Sequence, residues 1–233
     1  MSLEYKPVTH IIFDMDGVLL NTEDLYTEVY QKLCAKYGKV YDWSIKLPIM
    51  GKEATVAAAY VIETLGLPIT VDEWLGLLKA EMPKVFPSAK LLPGVEKLVK
   101  HFKHHNIPIA ICTGSGTDGF SLKSTNHKDF FSLFEHITLC GDDPDVKYGK
   151  PHPDAYIVSN SRFQPTPPSP DKVLVIEDAP NGVKAAVAAG MQVVMVPDPN
   201  IPEEYHEGAT LVLKSLCDLD LGIFGLPSLP DSI

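Results

Sequence analysis

The sequence predicts an α/β protein with a mostly parallel sheet and a long all-helical insertion near its start. Three observations predict it. Short apolar runs rich in β-branched residues (Val8–Phe13, Ile107–Cys112, Val173–Ile176, Gln192–Val196) alternate with helix-period stretches, as parallel strands alternate with their crossover helices. The first and third of these runs end in pairs of acidic residues, and the second ends in a Thr-Gly turn, which are polar groups of the kind that meet a ligand at the carboxyl edge of such a sheet. Between Asn21 and Lys90 no strand pattern occurs; helical spacing is punctuated by Pro48, Gly66-Leu67-Pro68 and Pro87.

The elements follow in order. The first strand ends in Asp14-Met15-Asp16-Gly17, where glycine permits a sharp exit and a close ligand approach. Asn21 is a candidate N-cap, Leu25, Val29 and Leu33 repeat at helical spacing, and Gly38 is the stop. Helices are expected over Glu53–Leu65 and Val71–Lys84. Leu91-Leu92-Pro93-Gly94 marks the return, and Val95, Leu98, Val99 and Phe102 form one apolar stripe. The strand ending at Cys112 runs into Thr113-Gly114-Ser115-Gly116. A loose helical stretch and a weak strand at Ile137–Leu139 come next. Lys150-Pro151-His152-Pro153-Asp154 opens a helix to about Ser161, and a Pro-rich connection leads to the strand that ends in Glu177-Asp178. An alanine-rich helix begins at Pro180, with Gly190 just past its end, and reads as close packing on the sheet. Two strands follow, Gln192–Val196 and Thr210–Leu213, and the Gly/Pro-rich tail after Leu219 is expected on the surface.

At 233 residues the chain can form one large domain or a core with an insert. The expected division is a core of residues 1–20 and 91–233 with a helical insert of residues 21–90. The formal net charge of −10 argues against a nucleic-acid duplex or an anionic membrane surface as the main partner. It leaves room for a small phosphorylated metabolite, since local cations can override the global sign. Cys34, Cys112, Cys140 and Cys217 are scattered without a C-x-x-C pair and read as reduced thiols of a cytoplasmic protein. The first apolar run is short and meets aspartates at once, unlike a leader, and no apolar stretch approaches the ~20 residues of a membrane span. Nothing in the pattern indicates an oligomer.

The strand ends gather four carboxylates (Asp14, Asp16, Glu177, Asp178), one hydroxyl with a glycine-rich turn, and one ammonium, Lys150. Like charges a few ångströms apart repel by ~4 kcal/mol per pair at an effective dielectric near 20. Such a group needs a cation, and hard oxygen donors that also leave room for a phosphate oxygen suit Mg²⁺. Thr113 and the amides of Gly114 and Ser115 can donate to phosphate oxygens, and Lys150 supplies a point charge. Asp14 is then placed to attack phosphorus, and Asp16 to exchange protons with the leaving oxygen and with water.

The ordered set Asp14-Met15-Asp16-Gly17-Val18-Leu19, Thr113 after a strand, Lys150-Pro151-His152-Pro153-Asp154, and Glu177-Asp178 before Pro180-Asn181-Gly182-Val183 resembles the haloacid dehalogenase superfamily of phosphotransferases. The resemblance implies a Rossmann-like core with the insert as a cap over the site. It implies Asp14 as nucleophile and Asp16 as acid/base. It also implies Mg²⁺ held by Asp14, the Asp16 backbone carbonyl and Asp178, with Glu177 in support. Met50-Gly51-Lys52, Gly141-Asp142-Asp143-Pro144 and Phe224-Gly225-Leu226-Pro227-Ser228 are similar to superfamily members that hydrolyse pseudouridine 5′-monophosphate. Lys52 follows a proline turn where related caps reach toward substrate. Tyr26, Tyr30, Tyr41, Trp43, Tyr60 and Trp74 sit at spacings typical of cap core, although such rings can also stack on a base. The alternatives are a sugar-phosphate phosphatase, a β-phosphoglucomutase-like phosphotransferase, or a non-catalytic phosphate-binding scaffold. A mutase must grip a second phosphate, usually with arginine, and the single arginine, Arg162, lies outside the insert.

Overall fold

The computed structural model describes residues 5–52 and 54–229. The apolar runs form β1 (His10–Phe13), β2 (Ile109–Thr113), β3 (His136–Leu139), β4 (Val173–Glu177), β5 (Gln192–Met195) and β6 (Leu211–Val212). They pair in the order β3-β2-β1-β4-β5-β6, every pair parallel, with β1 at the centre. Strands buried on both faces need no polar alternation, which is why β1, β2 and β4 read as continuous apolar runs. The period of two still sorts their side chains. Ile11, Phe13, Ile109, Ile111, Leu174 and Ile176 enter one core, and Ile12, Ala110, Cys112, Val173 and Val175 enter the other.

Nine α-helices lie among the described residues. Four belong to the insert: α1 (Thr22–Ala35), α2 (Trp43–Lys46), α3 (Ala54–Leu65) and α4 (Val71–Val85). Glu53, the expected first residue of α3, lies outside the described residues. The insert has its own apolar centre around Val29, Tyr30, Leu33, Ala58, Trp74 and Leu78, so Tyr30, Tyr41 and Trp74 pack on one another rather than facing a ligand. Thr70 and Glu73 cap α4 reciprocally, and Pro83 falls near its end. The remaining helices are α5 (Val95–His104), α6 (Thr117–Lys123), α7 (Lys128–Phe131), α8 (Asp154–Ser161) and α9 (Pro180–Ala188). None is long and apolar enough to cross a membrane among the described residues.

Two expectations are corrected. Asn21 does not cap α1 with its side chain. Its N–H donates to the Lys90 carbonyl (3.0 Å), and its Oδ1 accepts from the Lys90 N–H (2.8 Å). With the Leu20–Leu91 bridge, this clamps the two linkers of the insert side by side. The tail is not superficial either. Leu221, Phe224 and Leu226 are buried in the core that also holds Phe13, and Val8 N–H donates to the Phe224 carbonyl (2.9 Å). A short 3₁₀ turn, Leu221–Phe224, carries them, and such a turn lacks the periodicity by which burial is read from sequence.

Candidate active site

Asp14 continues β1 by one residue, its N–H donating to the Ile176 carbonyl at 2.9 Å. The β1–β4 register therefore sets Asp14 beside Glu177. Lys150, from the loop before α8, reaches both. Its Nζ lies 2.6 Å from Asp14 Oδ1, 2.7 Å from Glu177 Oε1 and 3.1 Å from the Cys112 carbonyl, so all three donors are used. Glu177 is satisfied further by Tyr156 Oη on Oε1 (2.5 Å) and by the N–H groups of Asp178 and Ala179 on Oε2 (3.1 and 3.2 Å). A Cβ at position 182 would collide with that carboxylate, which explains a glycine in the first turn of α9.

Asp14 is 7% exposed, and burial pushes its carboxyl up to about 8, with the Glu177 and Asp16 charges adding to the rise and Lys150 opposing it. Asp178 is raised well above the usual carboxylate range by burial, then by Glu23, Glu177 and Asp14. No hydrogen bond reaches its carboxylate from the described residues. Gly17, at φ +79°, brings the loop after β1 directly over Asp178. Among the described residues no three His, Cys, Asp or Glu side chains form a ready-made metal cage. Two buried carboxylates, Asp14 with one oxygen on Lys150 and Asp178 with no cationic partner among the described residues, nevertheless fit Mg²⁺, which binds through one or two carboxylates and shares its shell with phosphate and water rather than filling an all-protein cage.

Asp16 has a different environment. Lys123 Nζ (2.6 Å) and Thr22 Oγ1 (2.5 Å) donate to Oδ1, and Thr113 Oγ1 (3.2 Å) and Ser115 Oγ (3.1 Å) donate to Oδ2. Burial disfavours its charge, but Lys123 and the hydroxyl donors outweigh burial and hold the carboxyl below its ordinary range. Thr113 Oγ1 also accepts from the Ser115 N–H (3.1 Å), which shapes the turn, and Gly114 faces open space where a ligand could lie. The structure thus brings Asp14, Asp16, Gly17, Thr113, Ser115, Lys150, Glu177 and Asp178 to one edge of the sheet.

Lys52 is exposed and lines a shallow groove with Val56, Tyr148, Lys150 and His152. The insert lysine that faces Asp178 is Lys46, across a cavity of about 260 Å³ lined also by Gly17, Asn21, Glu23 and Met50. Lys46 is buried, pairs with Glu23 Oε2 (3.2 Å), donates to Thr27 Oγ1 (2.9 Å) and lies 4.8 Å from the centre of the Trp43 ring. Asn181 Nδ2 donates to the Met50 carbonyl (2.7 Å), and Met50 packs with Ala179 and Ile201, so the insert rests against the core beside the carboxylates. Sequence reasoning missed Thr22, Lys46 and Lys123. Thr22 is the first residue of the 14-residue α1 and Lys46 the last of the four-residue α2, neither within a motif, and the polar spacing around Lys123 gave no cue.

The model of the family described as haloacid dehalogenase-like hydrolase matches residues 11–196. The chain is 44% identical over 227 residues to (DL)-glycerol-3-phosphatase 1, mitochondrial, of Arabidopsis thaliana, covering 97% of this chain and 76% of that protein. It is 42% identical over 226 residues to a probable pseudouridine-5′-phosphatase of Drosophila melanogaster, covering 97% of each. Among solved structures, CbbY from Rhodobacter sphaeroides in complex with phosphate superposes with a TM-score of 0.74 at 22% identity, covering 94% of this chain and all of that one, which shows a shared fold.

Proposed function

The chain belongs to the haloacid dehalogenase-like hydrolase family, and on that footing we propose that it is a magnesium-dependent phosphomonoesterase that works through an aspartyl-phosphate on Asp14. The observation that carries this reading is the unequal treatment of the first two aspartates. Lys150 holds Oδ1 of Asp14 and leaves Oδ2 for attack, while four donors fix Asp16 two residues away. Asp14 Oδ2, in its ionised form, attacks phosphorus as the bond to the substrate oxygen breaks; Asp16, ionised at rest, first takes up a proton from solvent and passes it to that leaving oxygen. Asp16 then takes a proton from water as the water attacks the acyl phosphate, which frees Asp14 and inorganic phosphate. Thr113, Gly114 and Ser115 would hold the phosphate oxygens, and Lys150, its three protons committed to Asp14, Glu177 and the Cys112 carbonyl, would offset their charge. Asp14, Asp178 and the Asp16 backbone carbonyl would hold Mg²⁺, which when bound would offset the gathered negative charge. Glu177 supports the site by fixing Lys150 and the Asp178 backbone. The insert serves as a cap; its contacts through Met50 and Asn181 support that role.

The substrate is a small phosphorylated metabolite. Pseudouridine 5′-monophosphate follows from the local sequence cues and from the likeness to the fly protein. Glycerol 3-phosphate is a second reading. It is supported by the likeness to the plant glycerol-3-phosphatase and by a cavity whose lining, part charged (Glu23, Asp24, Lys46, Asp178) and part apolar (Val18, Met50, Leu92, Val196), holds no aromatic ring. Arg162 is committed to Asp143 and Asp145 (2.6 and 2.9 Å), which favours hydrolysis over a mutase. Four free thiols fit the expected cytoplasmic setting. The test is hydrolysis of p-nitrophenyl phosphate with and without Mg²⁺, followed by kcat/KM for pseudouridine 5′-monophosphate and glycerol 3-phosphate. No turnover of any phosphomonoester would overturn the reading in favour of a phosphate-binding scaffold.

A further inference from the structure

Lys123, at the end of α6, has no accessible side-chain surface, and its ammonium lies where three parts of the molecule meet. Nζ donates to Asp16 Oδ1 (2.6 Å), to Ser115 Oγ (2.8 Å) in the turn after β2, and to Tyr26 Oη (2.9 Å) on α1 of the insert. It also stands 4.7 Å from the centre of the Tyr26 ring and 5.2 Å from that of Phe86, in the segment by which the chain returns from the insert. A buried ammonium is costly unless fully partnered. Here all three protons are donated and two ring faces cover the remaining approach. Tyr26 and Phe86 also pack edge to face, 4.8 Å between centroids, so the insert side of the nest is built as a unit.

We propose that Lys123 is a positioning residue that fixes the Asp16 carboxylate and couples its orientation to the seating of the insert. The proposal rests on the acid/base reading of Asp16. With Tyr26 and Phe86 in place, the ammonium has one position, and Asp16 and Ser115 are held to it. When the insert lifts away, Lys123 loses Tyr26 Oη and both rings, gains water, and no longer holds Asp16 in one place. Proton exchange with the substrate oxygen is thereby confined to the seated state.

A double-mutant cycle tests this. Lys123→Met keeps the volume of the stem and removes the donors; Tyr26→Phe keeps the ring and removes one acceptor. Each is made in wild type and with Asp16→Asn, and kcat and KM are measured on p-nitrophenyl phosphate and on an alkyl phosphate with a poor leaving group. Lys123→Met lowers kcat on the alkyl phosphate by roughly 10²-fold, at the lower end of what a positioned acid contributes. It lowers kcat less on the aryl ester, and KM hardly changes. Tyr26→Phe gives a smaller loss of the same pattern. In the Asp16→Asn background neither substitution adds a further loss, because the residue they position is gone. Additive losses, a change confined to KM, or equal losses on both esters would overturn the proposal. If Lys123→Met fails to fold by circular dichroism, the Tyr26→Phe cycle decides by the same criteria. Wild-type turnover in Asp14→Asn or Asp16→Asn would instead overturn the phosphatase mechanism itself, so the two failures are distinguishable.

Discussion

Gly17 and Asp178 are packed so closely that no Cβ fits between them: a methyl group at position 17 would collide with Asp178 Oδ2. The glycine also sits at φ +79°, a region that L side chains rarely occupy. Gly17→Ala must therefore displace either the loop or the carboxylate. The expected outcome is a marked loss of turnover, a higher Mg²⁺ requirement, and destabilisation of about 1–3 kcal/mol. Activity titrated against Mg²⁺, together with a thermal melt, measures it; an unchanged Mg²⁺ profile would count against the assignment.

Asp14→Asn removes the attacking oxygen while preserving shape. Turnover is abolished and the fold persists, because the buried carboxyl is already pushed up to about 8 by burial and its acidic neighbours, and a neutral amide suits that environment. Circular dichroism and phosphate-release assays on one preparation separate the two effects. Substantial activity in the variant would rule out a covalent intermediate on this residue.

Chelation of divalent ions is expected to abolish activity, and added Mg²⁺ to restore it. A binding readout independent of turnover follows from linkage, since an ion bound only by the folded state raises Tm with its concentration. Wild type should show this Mg²⁺-dependent rise and Asp178→Asn should not. Without Mg²⁺ the variant should be at least as stable as wild type, because the cost of burying a carboxyl among Glu23, Glu177 and Asp14 has been relieved.

His10 and His136 flank Phe163, with ring centroids 4.8 Å away on each side, and burial lowers the pKa of both. The folded chain thus resists protons that the unfolded chain accepts below its ordinary histidine pKa of about 6.5. Their contribution is complete above that value and is lost as pH falls through it toward the folded pKa values. The urea midpoint should decline between about pH 7 and pH 5, and more shallowly in the His10→Gln/His136→Gln variant. Parallel curves for the two proteins would refute the assignment.

Phe224 is fully buried against the core that holds Phe13, and its ring is met edge-on by Tyr5 at 5.6 Å. Phe224→Ala should cost about 3–5 kcal/mol, measured by denaturant unfolding. A surface residue would cost almost nothing, so the number distinguishes the observed position from the one suggested by the Gly/Pro-rich sequence around it.

The parallel sheet was legible because strands buried on both faces leave dense β-branched runs, and Asp14, Glu177 and Asp178 were legible because acids at the ends of such runs have no ordinary reason to be there. Thr113 and Lys150 needed the whole ordered set before either stood out. What escaped was whatever depended on tertiary closure. Lys46 and Lys123 look like any surface lysine along the chain, and only folding buries them against Glu23 and Asp16. Asn21 carries a plausible capping side chain, but the neighbouring linker offers the Lys90 N–H, and that donor wins. Lys52 lies exposed on a groove shared with Lys150, while the preceding turn brings Lys46 to the cavity beside Asp178, and nothing along the chain distinguishes the two lysines.

The clamp of Asn21 on Lys90, beside the Leu20–Leu91 bridge, means that the polypeptide departs from the sheet and comes home through the same doorway. The length of chain outside that doorway costs the strands behind it little, because the entropy of closing a loop grows only with the logarithm of its length. The annex can therefore differ in size while the six strands keep their pairing.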